Sequence, residues 1–349
     1  MGTDPASAST ASMTRSAPAH GGDLRAARAR FGHALEDWLD LSTGINPHPY
    51  PFRAPAMEAW HRLPEAEDGL EVAARRYYGS EDLLPLAGTQ MAIKLLPRLR
   101  RPGRVLVAAP SYAEHAHAWA EAGHRVHSRP AQRIDDAAVG QADVVVLVHP
   151  NNPDGFRYAL PRMERWRAQL AQRGGWLVVD EAFMDATPDQ SMLRPWMPPA
   201  LIVLRSFGKF FGLAGARLGF ACAEPDLLAA LADAAGPWAV AGPSRAVAQQ
   251  ALEDRVWQRR TCDWLEERSA VTRLLLERHG LRPAVSTPLF HWIPSDRAGQ
   301  WQTALARHAV WTRRFEQPSA LRIGLTANDA DHARLEAALR AAGAEVAAA

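Results

Sequence analysis

Three observations predict an α/β fold with a large lobe on a mostly parallel, seven-stranded sheet and a small α+β lobe at the C-terminal end. Seven short apolar runs recur between residues 83 and 223. Helix-like segments separate them, as expected of strands joined by covering helices. The texture changes after Gly242, in a chain of 349 residues that is long for one core.

Taken in order, residues 1–19 (MGTDPASASTASMTRSAPA) are small and polar, without the apolar centre of a signal peptide. They are expected to be a disordered extension, with Met13 an alternative start. Residues 20–50, carrying HGG and LSTGINPHPYP, have no periodicity long enough for a lobe and are expected to form an arm packed across the other two parts. The large domain is expected over 51–242. Its strands are LLPLA (83–87), RVLVAA (104–109), RVHS (125–128), DVVVLV (143–148), WLVVD (176–180), LIVLRS (201–206) and RLGFACA (217–223). Several are almost unbroken Val, Leu and Ile, the signature of strands buried on both faces. Helices are expected over 89–99, 113–122, 161–173 and 226–235. The small domain, 243–349, opens with one or two amphipathic helices over 244–277. It continues with strands PLFHWI (288–293) and ALRIGL (320–325) and closes with a helix over 329–341.

Composition narrows the function. Hydrophobic content of 47% with 22% charged residues describes an ordinary globular protein. A net charge of +2 without a local basic patch argues against nucleic acid or a membrane surface as partner. Cys222 and Cys262 alone imply no disulfide framework, and a cytoplasmic setting is expected. No uncharged run approaches a membrane span. No metal site is expected.

The chemistry concentrates in SFGKFFGLAGARLGF (206–220), which follows a strand and sets one Lys among glycines and aromatics. In apolar surroundings a Lys holds its proton less tightly, because desolvation disfavours the ammonium, and Schiff-base chemistry requires that. Ser206 and Arg217, three before and eight after Lys209, are suited to binding an anion on one side of a pocket. The same segment also reads as a surface Lys in a Gly-rich loop. It is not a phosphate-binding Walker loop, since Phe210 follows Lys209 and the glycine spacing is wrong. Upstream, AGTQ (87–90) sits between strand and helix, where Gly88, Thr89 and the first helical amides can bind phosphate, or where Thr89 is a plain N-cap. HPNNPDG (149–155) places Asn152 to bond a ring oxygen, and reads equally as a turn. DEAF (180–183) ends a buried strand, so Asp180 points into the crevice where α/β proteins bind ligands and can pair with a protonated pyridine nitrogen, and it reads equally as an Asp capping a strand-end loop.

The ordered set Gly88-Thr89-Gln90, Tyr112, Asn152-Pro153-x-Gly155, Asp180, Ser206-x-x-Lys209, Arg217 and Arg322 resembles the fold-type I pyridoxal-phosphate enzymes, class I/II aminotransferase-like. It resembles most the branch holding histidinol-phosphate aminotransferases and the threonine-phosphate decarboxylases of cobalamin biosynthesis. The resemblance implies pyridoxal 5′-phosphate as cofactor, joined to Lys209 as a Schiff base. It implies Asp180 paired with the pyridinium, Asn152 on the ring oxygen O3′, and Tyr112 stacked on the ring. Gly88, Thr89, Gln90, Ser206 and Arg217 would hold the phosphate, and Arg322 the substrate α-carboxylate.

Two departures separate the branches. The family's DEAY is DEAF here, so Phe183 has no hydroxyl for O3′, and its RYP is RLP at Arg62-Leu63-Pro64. Both weaken the aminotransferase reading. HGGDLRAARARFG (20–32) and WLDLSTGINPHPYP (38–51) resemble the opening HGG and S-x-x-INP segments of the decarboxylases, although a Gly turn with a helix and a Pro-rich connector describe them too. The decarboxylase resemblance implies conversion of L-threonine O-3-phosphate to (R)-1-amino-2-propanol O-2-phosphate by a homodimer. His20, Arg313, Arg322 and Asn152 are the candidates for pinning the substrate. The alternatives are a histidinol-phosphate-type aminotransferase and a non-catalytic homologue.

Overall fold

The computed structural model describes residues 21–348. Its large sheet has seven strands in the spatial order Leu83–Leu86, Gly219–Cys222, Leu201–Ser206, Trp176–Asp180, Val144–Val148, Arg104–Ala108 and Arg125–Arg129. Strand Gly219–Cys222 runs antiparallel to both neighbours, and the remaining pairings are parallel.

Alternation decides where each residue of a strand goes. Val145, Leu147, Leu177, Val179 and Val203 bury into the core on one face, and Val144, Val146, Val178, Ile202 and Leu204 into the core on the other. Each such side chain contributes about 1.5–3 kcal/mol when fully removed from water. Apolar runs without polar alternation are therefore what this position demands.

Connecting helices follow the expected segments with local differences. Helix Thr89–Leu95 tightens into a 3-10 turn over Leu96–Leu99, where Pro97 has no N–H to continue it. The segment expected as one or two helices is two, Gly242–Glu253 and Arg255–Arg278. Asp254 divides them and caps the second, accepting from the Trp257 N–H at 2.9 Å.

A four-stranded antiparallel sheet follows, in the order Arg313–Glu316, Ser319–Gly324, Phe290–Pro294 and Val285–Ser286. Ile293, Leu321 and Ile323 bury against Leu275, Leu305 and Leu339 of helices Arg255–Arg278, Ala298–Arg307 and Asp329–Ala348. Strand Arg313–Glu316 was not expected, because its Arg, Arg and Glu give no buried face to read; pairing with Ser319–Gly324 imposes it.

Residues 21–50 contact the small sheet and the helical turn that follows strand Leu201–Ser206 of the large one. Leu39–Asp40 pairs in parallel with Val310–Trp311, and Leu41 O accepts from the Gly324 N–H at 2.8 Å. A few residues on, the Asn46 N–H donates to Lys209 O at 3.0 Å and its Nδ2 to Phe210 O at 2.8 Å. Among the described residues no helix is long and apolar enough to cross a membrane. Residues 1–20, and His20 with them, lie outside the described residues.

Candidate active site

Five loops leave the carboxyl ends of strands of the large sheet and converge on a cleft of about 680 Å³. Its wall includes Gly88, Thr89, Gln90, Tyr112, Asn152, Asp180, Ser206, Lys209 and Arg217. All nine residues expected at the cofactor therefore share one cavity.

Lys209 lies on the single helical turn Phe207–Phe210 that follows strand Leu201–Ser206. Fully buried Phe207, Phe210 and Phe211 anchor that turn. A Cβ on Gly208 would lie 2.8 Å from the Ala214 Cα, so glycine is needed for the returning chain to pass. The Lys209 Nζ sits 5.6 Å from the centroid of the Phe183 ring. Burial, joined by the charges of Arg322 and Arg217 and opposed by Asp180, pushes its pKa down to about 8.

Asp180 is buried and held at both oxygens. Oδ1 accepts from the Ala182 N–H at 3.0 Å, and Oδ2 lies 2.8 Å from the His115 Nε2. His115, on helix Ala113–Glu121, escaped the reading of the sequence. The available signal was the buried face of that helix, where His115 follows Tyr112 by almost one turn. A carboxylate fixed this way can hold a cationic ring nitrogen at a set place, and the imidazole behind it keeps the orientation.

At the other end of the cleft, helix Thr89–Leu95 starts with no capping side chain among the described residues. Its first amides are thus available to an anion. Gly88 adopts φ +76°, and a Cβ there would lie 2.8 Å from Nη2 of Arg217. Arg217 itself sits in the left-handed region at φ +50°, uncommon for a residue with a side chain, and donates from Nη1 to Ala214 O at 3.1 Å. That conformation aims the guanidinium at the helix start. Gln90 bridges Glu114 (2.7 Å) and the hydroxyl of Tyr112 (3.1 Å), fixing the aromatic wall. The Tyr112 phenol, half-buried and close to Glu114 and Asp180, has its pKa pushed up to about 12 and stays protonated.

A second cavity of about 1180 Å³ adjoins the first and shares Tyr112, Asn152, Phe183 and Lys209 with it. Gly21, Thr43, Gly44, Arg313 and Arg322 complete much of its wall. Arg322 is buried in the central strand of the small sheet, directly opposite Arg313. It donates to Asn152 Oδ1 and, at 2.6 Å, to Ser42 O, while its Nε has no partner among the described residues. Burial and the neighbouring Arg313 lower its pKa to about 10. Two guanidinium groups thus face a chamber whose floor is Lys209, and a small molecule with two anionic groups can be gripped there.

The family model for aminotransferase class I and II matches residues 36–341. The threonine-phosphate decarboxylase of Pseudomonas aeruginosa is 53% identical over 320 residues, 92% of this chain and 96% of that one. A threonine-phosphate decarboxylase of Sinorhizobium sp is 41% identical over 327 residues, 92% of this chain and 97% of that one. Among solved structures, the histidinol-phosphate aminotransferase of Sinorhizobium meliloti in complex with pyridoxal-5′-phosphate superposes with a TM-score of 0.78. It is 23% identical, covering 98% of this chain and 99% of that one, and shares the fold.

Proposed function

From the premise that the chain belongs to the aminotransferase class I and II family, we propose that it is a pyridoxal-phosphate-dependent lyase. It converts L-threonine O-3-phosphate to (R)-1-amino-2-propanol O-2-phosphate and carbon dioxide, as a step of cobalamin biosynthesis. The observation that carries this reading is the chamber in which Arg322 and Arg313 stand over Lys209, in a chain 53% identical to a threonine-phosphate decarboxylase.

The cleft fits the cofactor. It offers a half-buried Lys of lowered pKa, a carboxylate pinned by two partners, and an uncapped helix start faced by Arg217. Lys209 would hold pyridoxal phosphate covalently, Asp180 its ring nitrogen, Asn152 its O3′, and Tyr112 a ring face. Gly88, Thr89, Gln90, Ser206 and Arg217 would hold its phosphate. When bound, the group supplies an electron-withdrawing ring that takes up the electron pair released when a bond to the substrate Cα breaks.

The chain's own residues decide which bond that is. Cleavage favours the Cα bond standing perpendicular to the ring, so orientation of the substrate selects between loss of carbon dioxide and loss of a proton. Arg322 grips the α-carboxylate and Arg313 the phosphate, and together they fix that orientation at two points. Phe183, backed edge to face by buried Phe290 at 5.2 Å, lines the Lys209 side with apolar surface and excludes water. The Lys209 amine, with its pKa near 8, can return a proton to Cα from Nζ at neutral pH.

Several exposed apolar residues support a homodimer. Met57, Trp60, Leu63 and Trp238 are exposed, Trp238 in the strained left-handed region at φ +57°. Pro64 and Trp238 line one groove. A second copy would cover this surface. A cytoplasmic setting accords with two free cysteines.

The competing reading is a histidinol-phosphate-type aminotransferase, favoured by the fold shared with such an enzyme. Supplying L-threonine phosphate and L-histidinol phosphate separately distinguishes them. We expect carbon dioxide from the first without any keto acid. Glutamate formed from the second in the presence of 2-oxoglutarate, with no carbon dioxide from the first, would overturn the proposal.

A further inference from the structure

Behind the wall of the cleft lies a second group of buried charges that the chemistry above does not use. Asp180-Glu181 and Arg205-Ser206 are consecutive pairs at the ends of two adjacent parallel strands, held together there by the Glu181 N–H to Leu204 O at 2.8 Å. Because side chains alternate, Asp180 and Ser206 line the cleft while Glu181 and Arg205 point to the opposite face. There Arg205 Nη1 donates to Glu181 Oε2 at 2.9 Å and Nη2 to Asp185. Its guanidinium carbon stands 4.9 Å from the centroid of the Tyr78 ring. Glu181 also accepts from the Ser191 hydroxyl and the Met192 N–H, both at 2.6 Å. Arg205, Glu181 and Asp185 are 2%, 0% and 4% exposed.

Charges so deep are a poor source of stability, since apolar side chains of similar size serve a core as well or better. What a bidentate guanidinium adds is fixed geometry, as its planar fork sets where both carboxylates must lie. One partner, Glu181, adjoins Asp180 in the chain. The other, Asp185, follows directly on the turn, closed by the Met184 N–H to Glu181 O at 3.0 Å, that carries Phe183 against Lys209. Arg205 itself adjoins Ser206.

We propose that Arg205 is a positioning residue: by bridging Glu181 and Asp185 it fixes the Asp180 carboxylate relative to Ser206, and so the two ends of the cofactor cleft relative to each other, and it seats Phe183 on Lys209. The proposal rests on the pyridoxal-phosphate reading above. Its consequence is that loss of the Arg205 fork displaces groups that never touch it.

The test compares the wild-type holoenzyme with Arg205→Met and Arg205→Lys. It follows the pH titration of the bound cofactor's absorbance, cofactor affinity, kcat and KM separately, and thermal midpoint. The proton on Lys209 is faced by Asp180, Arg322 and Arg217, so displacing Asp180 or the lysine moves the absorbance midpoint. For Arg205→Met we expect a midpoint moved by at least about half a pH unit. We also expect kcat lowered about tenfold to a hundredfold, as for a small misplacement of reacting groups, with KM much less affected. Arg205→Lys, a single point charge without a fork, should recover part of both. A Met variant of lower thermal midpoint with unchanged absorbance midpoint, cofactor affinity and kcat would overturn the proposal and leave the cluster purely structural. If Arg205→Met fails to fold, Asp185→Asn keeps the Arg205–Glu181 pair, and no movement of its absorbance midpoint would likewise overturn it. A wild-type protein that never acquires the absorbance of a pyridoxal-phosphate Schiff base would overturn the cofactor reading itself, and this one with it.

Discussion

The chain's two lysines occupy opposite environments. Lys94 lies at the surface, 2.8 Å from Glu121, while Lys209 is walled in by aromatics with its pKa pushed down to about 8. An amine that sheds its proton this easily is what condensation with a carbonyl requires. Lys209→Ala is therefore expected to remove the yellow absorbance of pyridoxal phosphate bound to the protein and to abolish turnover; a spectrum like the wild type would sink the assignment. Lysine scarcity is also why this residue was legible in the sequence, and Asp180 was legible as an acid at the end of an apolar strand. His115 was not, because its pairing with Asp180 joins positions 65 apart in the chain, and its place on the buried face of its helix marks burial without naming the partner. Asn152 was read as a ligand of the cofactor ring, and its contact with Arg322 across 170 positions adds a link between the ring side and the substrate side of the site.

Elements were more legible than contacts. The seven strands of the large sheet end within two residues of the predicted bounds; six are largely buried and leave an apolar signature, while edge strand Arg125–Arg129 is mostly exposed. Strand Arg313–Glu316 shows the limit, because a polar edge strand carries no such signature and owes its shape to its partner. The turn between strand Leu83–Leu86 and helix Thr89–Leu95 illustrates a second case. Its glycine was legible, but not its positive φ, nor the Arg217 guanidinium that a Cβ there would push aside, brought in from more than a hundred residues away. At Gly88 the positive φ and the tight approach of Arg217 both act against a side chain. Gly88→Ala is expected to cost about 1–3 kcal/mol of local strain, and to lower affinity for pyridoxal phosphate about fivefold or more. Fluorescence titration with the cofactor, beside a circular dichroism spectrum showing the helices intact, checks this. Unchanged affinity would mean that this turn does not hold the phosphate.

At the scale of the whole molecule the site is a burden on folding. The Lys209 pKa falls from 10.5 to about 8 on burial, so between those values the unfolded chain binds more protons than the folded one. Stability of the cofactor-free protein therefore rises as pH increases through that window, and below about 8 the full cost is present. That cost is on the order of 3 kcal/mol. Lys209→Met, which keeps the bulk and removes the charge, is expected to stabilise the cofactor-free protein by up to about that amount at pH 7 and by little near pH 10.5. Urea unfolding of both proteins at the two pH values measures it, and equal stability at pH 7 would show that the lysine is solvated. The sequence by itself determined the order of elements, the change of texture after Gly242, and the residue types able to bind a phosphate, a ring nitrogen and a carboxylate. These are local properties, written in periodicity and in strand-end composition. Only the tertiary structure decided that His115 stands behind Asp180, that Ser42 O receives Arg322, and that Arg205 ties Glu181 to Asp185 at the back of the cleft. Periodicity reports which face of an element is buried. It carries no record of which residue will lie across from it.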